Sequence, residues 1–166
     1  ANTIFAVKEI PLHFYRPDKT YIFFSHTIKG QEYNMPLLKK MMGLKCNLID
    51  YERIVNEKNQ RLIFFGKYAG IAGMIESLHA LGKKLGKKGI KTPFSKIKQA
   101  YKYNSIEEAR QELKKISDKI KKNGLPKELQ PIVVGFAGYG NVSQGAQEIF
   151  DILPFKVITP EEISIV

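Results

Sequence analysis

Three histidines, one cysteine and a few strand-terminal lysines and glutamates are the side chains in this 166-residue sequence that could do chemistry. His26 follows the apolar strand-like run Thr20–Phe24 within the polar Ser25-His26-Thr27, and α/β sheets hold their ligands at such strand ends. Lys29 comes three residues later, within reach through a turn. Lys8, followed by Glu9, ends the preceding strand-like run in the same manner. A lysine beside another lysine loses proton affinity and one beside a glutamate gains it, so Lys8, His26 and Lys29 form a candidate proton-transfer site. The alternative is a salt-bridged sheet edge. His79 falls inside a helical pattern and reads as a packed or surface helix residue, and His13 lies in a loop without an obvious partner. Cys46 is alone, which excludes an internal disulfide framework and a cysteine-based zinc site, and no metal is expected.

A second candidate is the glycine-rich turn Gly138-Tyr139-Gly140-Asn141-Val142-Ser143-Gln144-Gly145. It follows the apolar run Pro131–Ala137 and opens a helix, the context in which glycines admit a pyrophosphate to free helix N–H groups. The third glycine stands five residues after the second instead of three, with Ser143 at the usual place. Gly138, Gly140, Asn141, Val142 and Gly145 are the candidate cofactor-binding residues, and an ordinary tight strand–helix turn is the alternative. No acidic residue is convincingly placed to choose between NAD and NADP.

The elements that position these groups read as an α/β fold. Strands are expected at Thr3–Val7, Thr20–Phe24, Cys46–Ile49 and Leu62–Phe65. A helix is expected over Gln31–Met42, and a second from the small-residue run Tyr68–Gly73 to about Leu85, set close against a sheet. A short helix near Ser95–Tyr103 and a long amphipathic one over Ser105–Lys122 follow. Ser105 and Glu108 form a capping box, and Asn123-Gly124 with Pro126 stops the helix. Strand and helix in alternation give a mostly parallel sheet flanked by helices. After Gln130 the pattern restarts as a Rossmann-type βαβ unit, with a helix to about Leu153 and a strand at Phe155–Ile158. The expected domains are 1–129, substrate-binding and catalytic, and 130–166, the beginning of a nucleotide-binding domain.

The formal net charge of +11 comes mainly from lysine, with four arginines among 27 basic residues. Base and phosphate readers favour the paired donors of arginine, so a solvated lysine-rich surface is expected and nucleic acid is not. No apolar run is long enough for a bilayer, no secretory leader is visible, and a reducing compartment is expected.

The segments Val7-Lys8-Glu9-Ile10-Pro11 and Phe24-Ser25-His26-Thr27-Ile28-Lys29-Gly30-Gln31 resemble the saccharopine dehydrogenase and lysine–2-oxoglutarate reductase family. So do Leu48-Ile49-Asp50-Tyr51-Glu52, Phe65-Gly66-Lys67-Tyr68-Ala69-Gly70-Ile71-Ala72-Gly73 and the glycine-rich turn. The resemblance implies an alanine dehydrogenase N-terminal-like fold and the reductive joining of lysine to 2-oxoglutarate with NAD or NADP. It also implies a cytoplasmic setting, or the mitochondrial matrix in an animal. By the same resemblance Lys8 handles the amine nitrogen and His26 the carbinolamine oxygen. Lys29, Glu9, Glu52 and Arg61 would tune these groups or hold the substrate. The implied partners are lysine, 2-oxoglutarate and saccharopine, with a second copy of the chain as a candidate. Family members carry further sequence on both sides, so the chain is expected to be a piece, inactive by itself. A related dehydrogenase of the alanine type and a truncated binding or regulatory domain are the alternatives.

Overall fold

The computed structural model describes residues 1–165 and divides the chain into two compact units, Ala1–Phe64 and Phe65–Val166. In the first unit, β1 (Thr3–Lys8), β2 (Thr20–Phe24) and β3 (Asn47–Asp50) form a parallel sheet in the order β1-β2-β3. Tyr21 and Phe23, alternate residues of β2, are buried with Tyr15 and with Leu37 and Met41 of α1 (Met35–Gly43). Leu37 and Met41 are one helical turn apart, which gives α1 the apolar stripe it lays on the sheet. The helix starts later than its pattern suggested: Gln31 is extended, and residues Glu32–Asn34 make a tighter turn before Pro36.

All of this agrees with the α/β class and parallel sheet expected from the sequence. The fourth strand at Leu62–Phe65 is not formed. Arg61 instead makes a single antiparallel bridge with Val55, and the Leu62 N–H is committed to the Ile54 carbonyl of the same hairpin.

In the second unit, α2 (Gly66–Lys87), α3 (Ile106–Asn123) and α4 (Asn141–Phe150) surround a core that includes Ile71, Ile75, Leu78, Leu113, Ile116 and Ile149. The small residues of α2 serve a helix and not the expected sheet. A Cβ on Gly70 would lie 1.9 Å from the Val142 carbonyl oxygen, and one on Gly145 would lie 2.0 Å from that of Lys67. Glycine at both positions lets α2 and α4 touch backbone to backbone. Glu148 of α4 is paired with Lys67 and Arg110, which hold its carboxyl below the usual range, the Lys67 hydrogen bond most.

The helix expected over Ser95–Tyr103 is replaced by two short turns, Pro93–Lys96 and Ala100–Lys102. The N–H groups such a helix needs are spent elsewhere: Ala100 donates to the Glu76 carboxylate at 2.7 Å, and Lys98 to the Tyr103 hydroxyl at 3.0 Å. The strands expected at Pro131–Ala137 and Phe155–Ile158 make no ladder. No described strand of the second unit lies beside their apolar runs to take up their backbone donors and acceptors.

At the start of α3 the Ser105 hydroxyl accepts from the Glu108 N–H at 3.1 Å. Glu108 reaches back one residue further than a standard capping box, to both nitrogens of Asn104, and also binds Lys98. The Lys98 hydrogen bond is the largest of the effects that bring the Glu108 carboxyl from 4.5 to about 2. A carboxylate whose folded value is depressed stabilises above its unfolded value and loses that effect as pH falls through the folded one. Helicity should therefore decline between pH 4.5 and about 2, and Glu108→Gln should flatten this part of a far-ultraviolet dichroism titration. The effect is small, because solvent screens the exposed pair.

Candidate functional site

The carboxyl ends of the three parallel strands lie on one edge of the sheet, as parallel order requires. Lys8 closes β1 opposite Phe24, the last residue of β2, and Glu9 and His26 follow on these neighbouring strands. The His26 Nδ1 stands 3.3 Å from a Glu9 carboxylate oxygen, with both side chains about one-third exposed. An Nδ1–H donated to Glu9 fixes the ring and leaves Nε2 as the free nitrogen. The His26 ring also stacks on Phe24, which meets Tyr51 edge-on. Lys8 is exposed, and its amine takes part in no ion pair among the described residues. Lys29 is exposed in the turn that Gly30 closes by donating to the Thr27 carbonyl at 2.9 Å.

Glu52 and Arg61 are brought together with each other. The Asn56 side chain accepts from the N–H groups of Lys58 and Gln60, folding the hairpin that returns Arg61 to Glu52 at 2.7 Å. The Glu52 side chain is only 9% exposed, so the guanidinium offsets a carboxylate largely out of water. A cleft of about 430 Å³ lies against this sheet edge, lined in part by Thr27, Ile28, Ile49, Asp50, Arg53 and Ile54. Its walls are mainly aliphatic and carry one guanidinium, Arg53, and one carboxylate, Asp50.

Two groups at this edge were not recognised from the sequence. Ser25 is fully buried, and its hydroxyl donates to Asp50, itself 8% exposed, at the end of β3. The other Asp50 oxygen accepts from the Glu52 N–H at 2.8 Å. The Asn34 amide donates to the Ser25 carbonyl at 3.0 Å. The signal was in the period of β2, since Tyr21, Phe23 and Ser25 alternate and all three are buried. A hydroxyl at a core position of a strand needs a buried partner.

In the second unit Gly138 has φ +93, the left-handed region that favours glycine, and Gly140 precedes the first turn of α4. A Cβ on either would meet nothing within 4 Å, and the first turn of α4 carries no acidic residue. This open backbone at a helix start, including Asn141 and Val142, fits a phosphate group. Gly145 is committed to packing on Lys67, so its glycine is explained without a ligand.

The sequence profile of the alanine dehydrogenase/PNT N-terminal domain family matches residues 1–72. Over 160 residues the chain is 42% identical to an alpha-aminoadipic semialdehyde synthase of Arabidopsis thaliana, covering 96% of this chain and 15% of the plant protein. It is 42% identical over 163 residues to the Bos taurus alpha-aminoadipic semialdehyde synthase and 41% identical to that of Mus musculus, both named as mitochondrial. These matches cover 98% of this chain and 18% of each mammalian protein. The chain thus spans less than a fifth of the length of these relatives. Among the described residues no helix is long and apolar enough to cross a membrane.

Proposed function

We propose that the parent protein is an oxidoreductase that joins lysine to 2-oxoglutarate as saccharopine, or runs the reverse. The match of residues 1–72 to the alanine dehydrogenase/PNT N-terminal domain profile and the 42% identity of nearly the whole chain to one segment of an aminoadipic semialdehyde synthase support this reading. The observation that carries this reading is the His26–Glu9 pair at 3.3 Å, on the sheet edge that Lys8 also terminates. Two proton-transfer groups at one edge suit a reaction in which an amine adds to a ketone and water then leaves.

Lys8 takes the proton from the attacking amine nitrogen. His26, entering the step as imidazolium, gives its Nε2 proton to the carbinolamine oxygen, which departs as water, while Glu9 keeps the ring in register through Nδ1. Lys29 holds a carboxylate of 2-oxoglutarate. Glu52 receives the ammonium of the substrate lysine, and the Arg61 guanidinium it then releases turns to a substrate carboxylate. NAD or NADP, when bound, would supply the hydride chemistry of the reaction. Gly138, Gly140, Asn141 and Val142 hold its pyrophosphate through the open turn and the start of α4, while Gly145 keeps α4 in place. The setting proposed is a reducing one, cytoplasmic or the mitochondrial matrix.

The test is oxidation of NADH and of NADPH by the full-length protein, with lysine and 2-oxoglutarate supplied singly and together. Oxidation that needs both substrates is the expected result. Oxidation with pyruvate and ammonia instead would move the protein to the alanine dehydrogenase type. None with any of these, from folded protein, would favour a binding role.

A further inference from the structure

We propose that Ser25 and Asp50 are a buried positioning pair that holds His26 in its working geometry and couples it to the Glu52 turn. The inference rests on the reaction proposed above, in which His26 moves a proton.

The hydroxyl of Ser25 has one hydrogen, and it goes to Asp50. The Thr27 hydroxyl, 2.7 Å from the Ser25 oxygen, must therefore be the donor in that second contact. The Thr27 N–H donates to the same oxygen at 3.2 Å. Two bonds thus span His26 from the residue before it to the residue after it. Between them His26 has φ +52, a left-handed backbone that a residue with a Cβ keeps only when its surroundings enforce it. The Asn34 amide closes the arrangement by fixing the Ser25 carbonyl at 3.0 Å.

Asp50 extends this hold to the next strand. One of its oxygens anchors the Ser25 hydroxyl and the other anchors the Glu52 N–H at 2.8 Å. A single buried carboxylate therefore ties the His26 turn after β2 to the Glu52 turn after β3. Burying a carboxylate is costly unless its oxygens are hydrogen-bonded, and each Asp50 oxygen has a donor. Without the Ser25 oxygen, His26 is free to relax to an extended backbone, which carries its ring away from Glu9. Neither Ser25 nor Asp50 need touch the reacting atoms.

The test uses the full-length protein with Ser25→Ala, His26→Ala, both together, and Asp50→Asn. Ser25→Ala should lower kcat about 10- to 100-fold, the range for a displaced catalytic group, with KM for the nucleotide unchanged. In the His26→Ala background the same change should cost less than about twofold, because groups acting as one unit are not additive. Peptide-resolved carbethoxylation should show the His26 rate changed as the local restraint is lost, with His79 as the unchanged control. Additive losses in the double variant, or an unaltered His26 rate in folded Ser25→Ala, would reduce the pair to an ordinary structural bond. If the unmutated protein shows no turnover, the reaction proposed above fails, and the carbethoxylation rates alone decide whether the pair positions His26. If Ser25→Ala does not fold, the near-isosteric Asp50→Asn carries the same measurements.

Discussion

Lys8→Met in the full-length protein is expected to lower turnover by about 100- to 10,000-fold, the usual contribution of a positioned proton-transfer group. Methionine keeps an unbranched stem of the same reach to Cε, with sulfur in place of one methylene, and removes the amine. Lys8 is exposed and in no ion pair among the described residues, so its amine supports no other group. A surface change of this kind costs stability no more than about 0.5 kcal/mol. The loss should therefore fall on kcat, with the melting temperature and nucleotide affinity unmoved. Steady-state kinetics, a thermal melt and a nucleotide titration on the same preparation separate the three. Equal turnover in variant and parent would remove Lys8 from the mechanism.

Gly145→Ala is expected to destabilise the second unit by about 3 kcal/mol, the upper end of what an inserted methyl costs in a packed interface. The new Cβ would sit 2.0 Å from the Lys67 carbonyl oxygen, and backbone cannot step aside as a flexible side chain can. Gly140→Val is the control. Its φ of −78 is open to any residue, and nothing lies within 4 Å of an added Cβ. As the N-cap of α4 it should cost far less stability than Gly145→Ala, and it should abolish nucleotide binding by filling the space before the helix. Chemical denaturation and nucleotide titration of both variants give opposite patterns if the two glycines serve fold and ligand respectively. Unchanged affinity in Gly140→Val would make the whole turn structural.

The three strands of the sheet were legible because each is a short apolar run ended by polar or turn residues. The bounds of β2 are those read from the sequence, and β1 and β3 differ by a residue at their ends. The same logic failed at Leu62–Phe65, Pro131–Ala137 and Phe155–Ile158. Apolarity shows that a segment seeks burial but not whether a neighbouring strand edge exists to receive it. The helix expected at Ser95–Tyr103 was lost to the carboxylate of Glu76, 24 residues before its hydrogen-bond partner Ala100, a contact no local pattern encodes.

At the sheet edge Lys8, Glu9 and His26 were legible as strand-end polar residues, and the structure sets Glu9 against His26. The Glu52–Arg61 pairing was not, because it depends on a hairpin closed by the Asn56 side chain. Ser25 and Asp50 each stand one residue past the runs that marked the strands, and only three-dimensional register makes them neighbours.

The backbone contact of α2 and α4 also bears on how this chain can diverge. Gly70 and Gly145 are held by carbonyl oxygens of the facing helix, so relaxed selection on catalysis gives neither any freedom. Lys8 and Gly140, to which the proposed reaction gives its proton transfer and its nucleotide, bear no such packing constraint. In a lineage that kept the fold as a scaffold after giving up its reaction, the first pair should stay glycine while the second drifts. A descendant with the opposite pattern would have rebuilt its helix packing around a retained activity.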